Sequence, residues 1–210
     1  MITVVASRKG GSGKSTISCN MAAILAGAGK KVALIDKDPQ GTSMNWSNSR
    51  GELEELASVP TFPVTSGKSM LKTIKDLDKT FEHVIVDLQG VDSEDNRFVL
   101  TIAHRVILPF KPSQPDLDTI PWVSDMVGQL REVNPDVQIF YVINEAPTTT
   151  AREKNEAIEY FKNFELTPIP TIIHARKAYR DSMATGKGAV ELSDLKASEE
   201  IKAVYSDLFC

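Results

Sequence analysis

Short apolar runs recur along the chain, separated by longer stretches whose apolar positions fall at helical spacing. Residues 2–6, 31–35, 83–86, 105–108 and 138–143 are rich in Val, Ile and Leu, with little polar alternation. That pattern predicts strands buried on both faces of a parallel sheet. Helices are predicted over 14–28, 69–77, 116–132 and 150–161, the last with preceding threonines as caps. A further apolar run at 169–173 lies against Pro168 and contains Pro170, which suits an edge or a strand end better than a sheet centre. Segment 41–64 is the least regular: it mixes polar residues with Trp46 and ends in Pro60 and Pro63. A short helix plus an edge strand is compatible with it, and the pattern does not settle the matter. Strand and helix alternating in this way predict an α/β fold, a mostly parallel twisted sheet with helices on both faces. No repeat, low-complexity tract or linker interrupts it, so one domain over residues 1–210 is the expectation.

Composition narrows the function classes. The 210 residues are 41% hydrophobic and 25% charged, ordinary for a chain with a real core, and the net charge is −4. A globally basic surface for nucleic acid is therefore absent, and any DNA contact must come from a local patch. Of the two cysteines, Cys19 falls inside the first predicted helix and Cys210 is the last residue. Neither has metal-ligand spacing or suggests a disulfide framework, so free thiols in a reducing compartment are expected. No stretch reaches the ~18 apolar residues of a membrane span, and no basic segment precedes the first apolar run. A cytoplasmic protein is expected.

The chemistry is concentrated where the first strand meets the first helix. Val4-Val5-Ala6 reads as strand and Lys14-Ser15-Thr16 opens a helix, with Gly10, Gly11, Ser12 and Gly13 between them. Glycines let the backbone turn its N–H groups inward and let phosphates approach without a Cβ clash. The helix N-terminus adds unpaired N–H groups and a positive dipole end. Lys14 is placed to reach nucleotide phosphates and the Ser15 hydroxyl to ligate Mg²⁺. Arg8 stands where the common G-x-x-x-x-G-K-[ST] pattern has its first glycine, and Lys9 precedes the paired glycines. The alternative, a glycine-rich turn without a ligand, leaves the lysine and serine at the helix start unexplained.

Two predicted strands then end in acids. Residues 32–35 run into Asp36-Lys37-Asp38-Pro39-Gln40, and residues 83–86 run into Asp87-Leu88-Gln89-Gly90. In open α/β sheets ligands bind beyond the carboxyl ends of strands, where carboxylates can hold Mg²⁺ or orient an attacking water. The competing reading is that each Asp only caps the following helix. It suits any one of them better than all three in this order.

Together these residues carry a family. Lys9–Thr16, I-D-K-D-P-Q-G at 35–41, V-I-V-D at 84–87, L-P-F-K-P-S at 108–113 and the late Arg176-Lys177-Ala178-Tyr179, followed by Gly186 to Glu191, resemble the ParA family of deviant Walker A partition ATPases. The resemblance spans essentially the whole chain and is nearest the small, ParF-like type without an N-terminal helix-turn-helix region. It implies a single-domain P-loop ATPase using ATP and Mg²⁺. Lys9 would be the signature lysine, reaching across an ATP-bound homodimer to the other subunit's phosphates. Gly10 to Gly13, Lys14, Ser15 and Thr16 would bind the phosphates, with Ser15, Asp36 and Asp87 organising the metal. Asp38 would orient the attacking water, and Asn144 would recognise adenine, although Glu145 follows it where a basic residue is usual. Lys37 and Leu88-Gln89 also depart from the family pattern, and Arg8 reads as a solvated loop residue.

The resemblance further implies non-specific DNA binding by the dimer, and hydrolysis stimulated by a ParB-like or other centromere-binding partner. The candidate DNA patch is Arg176, Lys177, Arg180 and Lys187, with Asp181 its one acid; a merely solvated helix face is the alternative. Arg152, Lys154 and Lys162 are weaker candidates, interleaved with Glu153, Glu156 and Glu159. A MinD-like membrane ATPase would need a basic amphipathic end. Here residues 197–210 are acidic, and Ile201, Val204, Tyr205 and Leu208 have the spacing of a helix packed on the domain, so no membrane partner is expected. An iron–sulfur carrier would need cysteines bridging a dimer, and Cys19 is misplaced for that. An ATP-dependent biosynthetic enzyme on the same fold is opposed only by the partition pattern and the lack of an added substrate domain.

Overall fold

The computed structural model describes residues 1–63, 67–148 and 167–210. Among the described residues seven strands form one sheet: β1 (Ile2–Val5), β2 (Val32–Asp36), β3 (Thr61–Pro63), β4 (His83–Asp87), β5 (Arg105–Phe110), β6 (Gln138–Ile143) and β7 (Thr167–Pro168). Their order is β3-β2-β4-β1-β5-β6-β7, and every pairing is parallel. The helices are α1 (Lys14–Gly27), α2 (Thr42–Gly51), α3 (Lys68–Thr80), α4 (Glu94–Leu100), α5 (Gln114–Leu117), α6 (Ile120–Val133), α7 (Lys177–Thr185) and α8 (Leu195–Phe209).

The strands read as unbroken apolar runs because successive side chains enter two different cores. Val4, Val84, Val86, Val106 and Leu108 pack with Met70 and Ile74 of α3, Val99 of α4 and Val123 and Val127 of α6. Val5, Ile85 and Ile107 pack with α1, Trp46 of α2, Tyr179 of α7 and Ile201 and Val204 of α8. Period-2 geometry thus feeds helices on both faces, as the sequence predicts. Helix α1 is buried along most of its length, from Ile17 through Ala23, which places the loop before it at the centre of the sheet.

Segment 41–64 takes the form of helix α2 and edge strand β3. The predicted helix over 116–132 divides into α5 and α6, because Pro121, at the start of α6, has no N–H to continue α5. Helix α4 has no counterpart among the predicted helices. It is seven residues long and is started by Ser93, whose hydroxyl accepts the Asn96 N–H at 3.2 Å. The run 169–173 is not itself a strand: β7 precedes it, and it follows β6 through Ile169 N–H to Tyr141 O and Ile173 N–H to Ile143 O, both 2.9 Å. The predicted helix at 150–161 and the weaker DNA candidates Arg152, Lys154 and Lys162 lie outside the described residues. Residues Ile201, Val204 and Leu208 of α8 are buried against the domain, as their spacing predicts, and Tyr205 is half-buried beside them.

Gly186 to Glu191 is held from α2. The buried Arg50 guanidinium makes a bidentate pair with Glu191, 2.8 Å on each arm, and donates to Gly186 O at 3.1 Å and Ala57 O at 2.8 Å. Gly186 has φ of 71°, and a Cβ there would fall 2.3 Å from Arg50 N, so only glycine fits.

Candidate functional site

Strands β1, β4 and β2 end side by side. In register, Asp87 lies between Val5 on one side and Asp36 on the other. The loop from β1 to α1 therefore leaves the sheet beside the β4 end that carries Asp87, with Asp36 one strand further out.

Helix α1 begins at Gly13, whose φ is 90°, and no side chain caps it. Its first N–H groups have no intrahelical acceptor. Gly13 is fixed twice over, since a Cβ there would lie 2.0 Å from Asn144 Nδ2. Asn144, buried at the end of β6, donates that amide to Ser12 O at 2.8 Å. The structure thus gives the Asn144 amide nitrogen to the loop itself. Ser7 adds a second brace: its hydroxyl lies 2.8 Å from both Lys9 O and Ser12 Oγ. The loop also packs on Gly90, where a Cβ would fall 2.6 Å from the Lys9 carbonyl group.

Lys14 turns back under the loop, its Nζ 3.1 Å from both Ser7 Oγ and Lys9 O. Burial holds its pKa below the ordinary lysine value, against the pull of Asp87 and Asp38. Burial also pushes the Asp87 carboxyl up to about 6, with the Ser15 and Ser43 hydroxyls and Lys14 pulling it back. Ser43 Oγ donates to Asp87 Oδ2 at 2.6 Å, while Oδ1 is buried and receives no aligned hydrogen bond. A helix start with no side-chain cap and a buried lysine could receive a phosphate chain, and the unpaired Asp87 Oδ1 beside Ser15 could face a hard cation.

Asp36 is used differently. Its Oδ1 accepts Asp38 N–H at 3.0 Å and its Oδ2 accepts Met44 N–H at 2.8 Å, so it caps its own turn and the start of α2. Burial raises its pKa. Among the described residues no group of three or more acidic, His or Cys side chains forms a metal site by itself. Asp38 is half-buried, accepts Gln40 N–H at 3.0 Å, and lines a cleft of about 570 Å³ with Asp36, Lys37 and Gln89. Lys9 Nζ donates to Pro115 O of its own chain at 2.6 Å. Arg8 is exposed, with its guanidinium 5.3 Å from the centre of the Trp122 ring.

The four basic residues singled out for DNA do not form one equivalent set. Arg176 donates to Glu200 Oε1 through Nε at 3.0 Å and Nη2 at 2.6 Å, and Glu200 also holds His174. Lys177 is exposed and paired with Asp181 at 2.9 Å. Arg180 is exposed and shares with Arg176, Thr16, Asn144 and Glu145 the lining of a cavity of about 340 Å³ beside the loop. Lys187 is half-buried, and its carbonyl accepts Trp46 Nε1 at 3.0 Å. The structure therefore commits Arg176 to the fold, and brings Arg180 towards the phosphate loop. Ser7, Ser43 and Gly90 are site residues that sequence reasoning missed. Only Gly90 carried a signal, as a glycine closing the acid-ended segment.

A family model described as the CobQ/CobB/MinD/ParA nucleotide binding domain matches residues 3–189. The "Maintenance of carboxysome distribution protein A" of Halothiobacillus neapolitanus is 27% identical over 209 residues, 97% of this chain and 94% of that protein. "Protein ParA" of Rhizobium radiobacter is 36% identical over 115 residues, 55% of this chain and 50% of that protein. The solved structure of the MinD cell division protein of Aquifex aeolicus superposes with a TM-score of 0.77 at 18% identity, covering 99% of this chain and 95% of that one.

Proposed function

Because the chain belongs to the CobQ/CobB/MinD/ParA nucleotide binding domain family, we propose that it is a ParA-type ATPase that positions a cargo through an ATP-dependent dimer. The observation that carries this reading is the uncapped start of α1, with Lys14 beneath the loop and the buried, unpaired Asp87 Oδ1 beside it. ATP fits there with its phosphates on the amides of Gly10 to Thr16 and on Lys14. Ser15 and Asp87 supply the oxygens for Mg²⁺, which contributes charge neutralisation when bound, while Asp36 holds the loop that carries Asp38. Asp38, which lines the cleft, orients the attacking water. Phosphoryl transfer needs positioning and electrostatics more than covalent chemistry, and this set suffices for slow intrinsic turnover.

Lys9 serves the partner subunit's phosphates in this reading, so ATP is the bond between two copies and hydrolysis is its timer. Non-specific DNA is the track, and a ParB-like or other centromere-binding protein stimulates release. Residues 1–210 act as one domain. Among the described residues no helix is long and apolar enough to cross a membrane, and the apolar face of α8 is spent on the core. The near full-length match to a carboxysome distribution protein supports a second reading of the cargo, a protein compartment in place of a DNA molecule.

The test is binding to a random-sequence duplex with ATP, with ADP and without nucleotide. ATP-dependent, salt-sensitive retention is expected. Nucleotide binding without any such retention would remove the DNA track and leave the ATPase.

A further inference from the structure

Ser43 was not among the residues expected to act. It is fully buried in the first turn of α2, between two strand-end carboxylates. Its Oγ lies 2.6 Å from Asp87 Oδ2 and 3.4 Å from Cys19 Sγ. One residue on, the Met44 N–H donates to Asp36 Oδ2 at 2.8 Å. The first turn of α2 thus grips both acids of the register pair Asp36 and Asp87.

The direction of the Ser43 bond follows from its partners. An ionised carboxylate only accepts, so the single Ser43 proton goes to Asp87. The Cys19 thiol then donates to the Ser43 oxygen. The relay Cys19 to Ser43 to Asp87 is buried and ends at a carboxylate whose second oxygen, Oδ1, has no aligned partner. A carboxylate held by one oxygen keeps its other oxygen at a fixed orientation.

We propose that Ser43 is a positioning residue for the cation-binding carboxylate: by occupying Oδ2 it presents Oδ1 of Asp87, beside Ser15, to the Mg²⁺ that accompanies a bound nucleotide. This rests on the ATP and Mg²⁺ reading given above. Hydrogen-bond partners of metal ligands fix ligand orientation, and their loss costs about 10–100-fold in metal affinity. Ser43 does this from α2, so the helix that follows the Asp36–Asp38 loop and the metal carboxylate move as one unit.

The experiment measures binding of a fluorescent ATP analogue to the full chain, in EDTA and across a Mg²⁺ titration, for the parent, Ser43→Ala and Ser43→Thr. Expected is an unchanged affinity in EDTA for Ser43→Ala, with about 10–100-fold more Mg²⁺ needed for half-maximal enhancement. Ser43→Thr keeps the hydroxyl and should return the Mg²⁺ midpoint towards the parent value. A Ser43→Ala midpoint equal to the parent's overturns the inference, as does an equal loss in EDTA and in Mg²⁺, which marks a purely structural role. A parent that binds no nucleotide in either condition overturns the underlying ATP reading. Should Ser43→Ala fail to melt cooperatively, Ser43→Cys, of similar size with a weaker donor, takes its place under the same criteria.

Discussion

Lys37 reaches from the loop after β2 to place its Nζ 3.1 Å from Asn96 Oδ1 on α4, joining the two acid-bearing loops from behind. The amide of the same Asn96 donates to Gln89 O at 3.0 Å and Val91 O at 2.7 Å, so it fixes the loop that leaves Asp87. Lys37 is largely buried, with Asp95 at 3.9 Å, and burial holds its pKa below the ordinary value. The residue that departs from the partition pattern is thus a brace between the site's two loops. Lys37→Met keeps the stem and removes the charge and donor. It should cost about 1–3 kcal/mol of stability. Asn96→Ala, which strands two carbonyls and the lysine, should cost more. Urea denaturation of the nucleotide-free chain checks both, and equal stabilities of parent and variants would refute the brace.

How much of this was legible beforehand follows from the range of each interaction. The strands could be read because both faces of each are buried, which leaves a continuous apolar run. The phosphate loop could be read because its glycines and lysine act within nine consecutive residues. Helix α4 could not, because one Ser93 cap and seven mixed residues give no period. The brace from Lys37 to Asn96 spans 59 positions and that from Asn144 to Ser12 spans 132. Only the sheet order brings such partners together. A strand-end Asp has no signal of its own that separates a cap from a ligand: Asp36 accepts the Met44 N–H at the start of α2, whereas Asp87 accepts the Ser43 hydroxyl.

Asp87 makes the stability of the nucleotide-free chain depend on pH. Burial raises its folded pKa to about 6 from an ordinary carboxylate value of 3.8. For an acid this means that the folded state holds the proton more tightly than the unfolded one. Stability contributed by this group is therefore present at low pH and is lost as pH rises from about 4 through about 6, after which the penalty is constant. The loss is on the order of 2–3 kcal/mol. Asp87→Asn should raise stability at pH 7.5 by a similar amount and flatten this part of the profile, while abolishing Mg²⁺-enhanced nucleotide binding. Thermal melts across pH 4–8 check the first effect, and a variant less stable than the parent at pH 7.5 would contradict it.

Asn144 offers a test between loop-holding and base recognition. Its amide nitrogen donates to Ser12 O, so the side chain supports the phosphate loop. Asn144→Ala should then weaken ATP, GTP and ADP by the same factor, about tenfold, the equivalent of one buried hydrogen bond of about 1–2 kcal/mol. Competition binding with the three nucleotides measures it. A loss confined to adenine nucleotides would instead return Asn144 to the base.

Lys9 is bonded to Pro115 O within its own chain, so service to a second subunit requires it to leave that carbonyl. Two inactive variants can show whether it does. Lys9→Ala and Asp38→Ala should each bind ATP and each hydrolyse it poorly. In a mixed dimer, the site on the Lys9→Ala subunit keeps its own Asp38 and receives Lys9 from its partner, so it is whole. The other site lacks both groups. An equal mixture in which half the dimers are mixed, each with one whole site, should recover about a quarter of the parent's hydrolysis rate, because an isologous dimer presents two equivalent sites. If Lys9 acted only on its own subunit, every site in the mixture would lack one group and no activity would return. Recovery that rises and falls with the mixing ratio is the outcome expected of a lysine that crosses the dimer.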